Sequence, residues 1–343
     1  MADGVSALPT RPACRMTVCL ATMADDGRLR RGGGAGTPPD AVEGAEESSE
    51  EEENFDQAMR LIPSYPFPAD FHLDFEGTRI EVIRHLCQRH PRGTRAIALF
   101  FPGVHGGVGP CRQPGENFDE SALFATVATG LVGSHDVDVD CYRCSWPYMR
   151  PRMAYAVGGA CRVLHHALQE AARGSGAGAQ REFRVFFVGH SLGGAVALHA
   201  AEVVARHYGS LEGQRAGGPE HAAVAVAGLC TLNGALDVRQ AQDCGNFAVF
   251  QNTRALLVCG DADEVVPPES TAQLFEALPA RDKRHLALPG GTHDLFAHKE
   301  QLVSELSDFI IQGLGSSPLA GPPGGDAGAS PSEEDAGSPR GCA

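Results

Sequence analysis

Between residues 78 and 313 the chain changes rhythm repeatedly. Short runs apolar at nearly every position, such as Ala-Ile-Ala-Leu-Phe-Phe at 96–101 and Val-Phe-Phe-Val at 185–188, alternate with longer stretches at helical spacing. The pattern predicts strands over 78–87, 95–101, 137–142, 183–188, 224–232, 255–259 and 285–288. It predicts helices over 118–131, 153–172, 192–208, 270–278 and 301–313. Alternating strands and helices need right-handed crossovers and give a mostly parallel sheet. Uniformly apolar strands are expected where helices cover both faces. The expected fold class is therefore α/β, and reactive groups belong at the C-terminal ends of the strands. No internal repeat is present.

The ends of the chain break this pattern. The N-terminal segment, 1–62, holds a triple glycine at 32–34 and a dense acidic run at 43–53, and 316–343 is rich in Gly, Pro, Ser and Ala. Such compositions bury too little apolar surface to offset ordering entropy. Both are expected to be disordered, leaving one folded domain over 63–315.

The formal charge of −15 weighs against nucleic-acid binding and against simple docking on an anionic membrane. About −6 of it falls in residues 1–54 and about −3 in 316–343, so the folded part is only mildly acidic. Eleven cysteines without a repeated spacing fit a reducing compartment, the cytoplasm, better than a secreted disulfide scaffold. Arg11, Arg15, Arg28, Arg30 and Arg31 leave an organelle such as a plastid or mitochondrion as the alternative. No apolar run is long enough to span a membrane. Oligomeric state is not legible.

Chemistry concentrates after three strands. The run 184–188 leads into Gly189-His190-Ser191-Leu192-Gly193-Gly194, and helical spacing follows at once. This is Gly-x-Ser-x-Gly in its strand–turn–helix context. The turn is strained and crowded, so its flanking positions must be small. Ser191 lies at a helix N-terminus, which favours a developing anion. A Gly-rich turn capped by a serine is the bland alternative.

After the strand 255–259 come Asp261 and Asp263, of which Asp263 is the expected acid and Asp261 the expected turn former. After 285–288, the Gly-rich loop at 289–294 carries His293, the expected general base. His190 shares the serine's turn and cannot easily face its hydroxyl. His199 and His207 lie on the following helix as surface or satisfied positions.

Gly189-His190-Ser191-Leu192-Gly193, Asp263 and His293, in that order, resemble the α/β-hydrolase fold family, over roughly residues 63–315. The resemblance implies an oxyanion hole built from the Leu192 N–H and a donor after strand 95–101. The family often has His-Gly there; this chain has Pro102-Gly103, which makes Val104 the expected donor. His105-Gly106-Gly107 resembles the loop of lipases and would move it to Gly106 or Gly107.

About 20 residues separate the strand 224–232 from the next at 255–259, too few for a large cap, so an open site is expected. Asn233 and Trp146 are the expected pocket walls. Arg143, Arg150 and Arg152 could hold an anionic group or pair with local acids. Cys141 and Cys144 lack the second ligand pair that a metal or redox role would need. The expected function is a serine hydrolase acting on an ester or thioester of a small acyl substrate, without metal or cofactor. Its rivals are a same-fold perhydrolase or lyase and a non-catalytic binding protein.

Overall fold

The computed structural model describes residues 69–75, 78–87, 95–104, 106–107, 109–111, 122–134, 137–146, 153–173, 182–209, 223–234 and 247–315. The segments 1–62 and 316–343 lie outside the described residues, as do Arg150 and Arg152. Eight strands form one sheet: β1 (Phe71–Phe75), β2 (Thr78–His85), β3 (Arg95–Phe101), β4 (Val139–Ser145), β5 (Glu182–His190), β6 (Ala223–Leu232), β7 (Arg254–Gly260) and β8 (Lys283–Leu288). The helices are α1 (Leu123–Gly133), α2 (Met153–Arg173), α3 (Leu192–Gly209), α4 (Pro268–Ala277) and α5 (Lys299–Gly315). The strand order is β1-β2-β4-β3-β5-β6-β7-β8. From β4 onward every neighbouring pair is parallel. β2 pairs antiparallel with both β1 and β4.

Apolar alternation along each strand divides the core. Ile97, Leu99 and Phe101 of β3 pack with α2 and α3, whereas Ala96, Ala98 and Phe100 pack with α1 and α5. β5 divides the same way, Val185 and Phe187 to one layer, Phe186 and Val188 to the other. This two-sided burial explains why these strands read as continuous apolar runs.

Two departures from the sequence reading matter. β1 was not expected, although Phe71, Leu73 and Phe75 alternate with His72 and Asp74 as a half-buried strand should. β4 runs three residues beyond the expected 142, and Val139–Ser145 is buried throughout. That extension carries Ser145 and Trp146 to the end of the sheet where β3 and β5 also finish.

Candidate active site

β5 ends in a turn that sequence and packing both dictate. Ser191 has φ +52°, left-handed and costly for any residue with a side chain. Its N–H donates to the Leu232 carbonyl at 2.9 Å, and its own carbonyl accepts from the Gly194 N–H at 2.9 Å as α3 begins. A Cβ at Gly189 would collide with the backbone of Gly193, and one at Gly193 with the carbonyls of Phe101 and Pro102. The glycines therefore let β5, the start of α3 and the end of β3 converge on Ser191.

The loops after β7 and β8 meet beside it. His293 Nδ1 lies 2.8 Å from Asp263 Oδ2; the Asp263 side chain is fully buried and that of His293 is 24% exposed. Asp263 Oδ1 accepts from the Val265 and Val266 N–H groups at 2.8 and 2.9 Å. One carboxylate oxygen is thus held by its own loop while the other faces the imidazole. Asp261 instead accepts from the Gly290 N–H at 2.6 Å and joins the two loops as a turn former.

Asn233 sits where β6 ends, at φ +45° and 0% exposed. Its Nδ2 donates to the carbonyls of Thr292 and His293, each at 3.1 Å, and its Oδ1 accepts from the Gly260 N–H at 2.8 Å. A side chain so placed has no surface to offer a substrate; it clamps the acid loop to the histidine loop. His190, set aside in the sequence reading, grips the same carbonyl: its Nε2 lies 2.8 Å from His293 O. Burial pushes the His190 imidazole down to about 4, so the ring is neutral, and Nε2 must carry the proton that the carbonyl accepts. Cys111 adds a third tie, its N–H donating to Asp294 O at 2.7 Å and its thiol to Leu295 O at 3.3 Å.

The loop after β3 lies over the serine. A Cβ on Gly103 would sit 3.3 Å from Ser191 Cβ and 3.7 Å from its Oγ. Three N–H groups of this loop are candidate oxyanion donors. That of Gly106 donates to Gly103 O at 3.0 Å, and that of Gly107 to Ser145 Oγ at 2.6 Å. The N–H of Val104 makes no hydrogen bond among the described residues. Leu192 opens α3, so its N–H is one of those a helix start leaves without an internal partner.

Trp146, like Asn233, is placed differently from a pocket wall. It is 1% exposed, packs in the layer under Phe101, and its Nε1 donates to Gly103 O at 3.0 Å. Arg143 is buried, with Nε 2.9 Å from His85 Nε2. Cys141 and Cys144 face opposite core layers, so this Cys-x-x-Cys can neither close a disulfide nor share a metal. Among the described residues no cluster of three metal-ligating side chains occurs.

A family model described as Lipase (class 3) matches residues 134–238, which hold β4, α2, β5 with its serine turn, α3 and β6. Among solved structures, Est1E from Butyrivibrio proteoclasticus with ferulic acid bound is 15% identical, with 72% of this chain and 100% of that one covered and a TM-score of 0.45. A putative alpha/beta hydrolase from Agrobacterium tumefaciens is 15% identical over 74% of this chain and 99% of that one, with a TM-score of 0.46. An a/b serine hydrolase without lid from Xanthomonas campestris is 16% identical over 74% and 100%, with a TM-score of 0.42. The strand order, the left-handed serine after β5, and the acid and histidine following β7 and β8 make the fold of this chain that of the α/β hydrolases.

Proposed function

We propose that the chain is a serine hydrolase that cleaves a carboxylic ester or thioester through an acyl-enzyme. The observation that carries this is the Asp263–His293 pair, 2.8 Å apart, on the two loops beside the strained serine turn. His293 Nε2 takes the Ser191 proton as Oγ attacks the carbonyl carbon. Asp263 keeps the proton on Nδ1 and stabilises the imidazolium. The N–H groups of Leu192 and Val104 hold the oxyanion. Collapse of the tetrahedral intermediate breaks the acyl bond, and the imidazolium protonates the departing alcohol or thiol. Water, deprotonated by His293, then releases the acid and restores Ser191.

β6 ends at Leu232 and β7 begins at Arg254, which supports a site without a large cap, open to a small acyl substrate. Among the described residues no helix is long and apolar enough to cross a membrane. The test is labelling with a fluorophosphonate probe. Wild-type protein should label, and Ser191→Ala should not. Equal labelling of the two, or none of either, would sink the reading.

A further inference from the structure

We propose that Trp146 is a positioning residue for the oxyanion hole. Its indole N–H fixes the plane of the Gly103–Val104 peptide and thereby aims the Val104 N–H. The inference rests on the hydrolase reading above and deepens it.

The carbonyl and N–H of one trans peptide point in opposite directions. Holding the Gly103 oxygen therefore fixes where the Val104 hydrogen points, and no cis peptide occurs among the described residues. Two donors converge on that oxygen, Trp146 Nε1 at 3.0 Å and the Gly106 N–H at 3.0 Å. They use both of its lone pairs. The next residue back along the chain, Ser145, receives the Gly107 N–H at 2.6 Å. Two consecutive residues at the end of β4 thus grip the loop at both Gly103 and Gly107.

The grip matters because Gly103 by itself does not fix the peptide that follows it. Gly103 tolerates most backbone conformations, so turning over the peptide that follows it costs little by itself. A turned peptide would present the Gly103 carbonyl toward the position where negative charge develops. Gly103 is close enough to Ser191 for that to matter, since a Cβ there would lie 3.7 Å from Oγ. A phenylalanine could fill much of the space of Trp146, but it has no N–H for the Gly103 oxygen.

Two replacements separate the donor from the bulk. Trp146→Phe removes both the N–H and part of the ring. The sulfur isostere 3-benzothienylalanine removes the N–H alone and keeps the shape; with one tryptophan in the chain, it can be incorporated throughout without touching another site. Both proteins are assayed on a p-nitrophenyl ester and with a trifluoromethyl ketone, whose serine adduct carries the oxyanion. Removing an oxyanion donor outright typically costs 10²–10³ in kcat, so loosening one should lower kcat by about 10–100-fold with KM nearly unchanged. The ketone's Ki should rise by the same factor, while the isostere protein keeps the wild-type melting temperature. An isostere protein with wild-type kcat and Ki would overturn the proposal even if Trp146→Phe were inactive or unfolded. So would a change confined to KM. Wild-type protein that turns over no ester and does not label with fluorophosphonate would remove the hydrolase reading itself, and the proposal with it.

Discussion

Asn233 carries more of the candidate site's geometry than its distance in sequence from Asp263 and His293 would imply. Its amide joins Gly260, at the end of β7, to Thr292 and His293 after β8, positions 27 and 60 residues further along for Gly260 and His293. In Asn233→Asp the acceptor for the Gly260 N–H survives, but two donors become an oxygen facing two carbonyls. Leaving buried polar groups unpaired costs about 1–3 kcal/mol each, so the denaturation midpoint should fall measurably. Turnover should fall about tenfold or more with KM little changed, because the imidazole is misplaced and no substrate contact is removed. A pocket-wall role would instead move KM and leave kcat alone. Ser191, Asp263 and His293 stand out in the sequence as candidates because each lies in a short motif just beyond an apolar run. The role of Asn233 does not, because its partners lie on loops that only the folded sheet brings together. The role of His190 is hidden for a related reason: its partner is not the Ser191 hydroxyl beside it in sequence but the His293 carbonyl on a distant loop.

At the scale of elements, the junction of β3, β5 and α3 is the least forgiving part of the fold. Gly193→Ala would drive a methyl group into the Phe101 and Pro102 carbonyls, backbone atoms that cannot rotate away. Overpacking costs typically about 1–3 kcal/mol, and this substitution should reach the upper end or exceed it, while also displacing the loop over Ser191. Gly130, exposed in the last turn of α1 with open space where a Cβ would point, is the contrasting case. Gly130→Ala should stabilise the protein by about 0.5–1 kcal/mol through a less floppy unfolded chain. Urea denaturation of both variants checks the pair. Most elements were legible within a few residues because their apolar periods are long and regular. The end of β4 was not: Arg143 and Ser145 are polar, and their burial follows from strand pairing with β2 and from contacts outside the local pattern.

For the molecule as a whole, burial of neutral histidine sets a response to acid. His190 is held down at about 4, first by desolvation, whereas an unfolded histidine titrates near 6.5. Between these values the unfolded chain binds the extra proton, so stability is lost as pH falls from about 6.5 toward 4. The slope from His190 approaches about 1.4 kcal/mol per pH unit in that window. His85, also lowered to about 4 by burial and then by Arg143, acts in the same direction. Denaturation free energies measured from pH 7.5 to 4.5 should therefore decline more steeply for the wild type than for His190→Gln, which can still donate to the His293 carbonyl without a titrating ring. Equal slopes would remove His190 from the account.

The buried indole also gives the protein a built-in spectroscopic reporter. One tryptophan in 343 residues means one indole N–H resonance and one emission band. Because that N–H is bonded to the Gly103 carbonyl, its chemical shift and its hydrogen-exchange rate report directly on the loop over Ser191. Acylation could then be followed from a single peak, in unlabelled substrate and without a chromogenic leaving group.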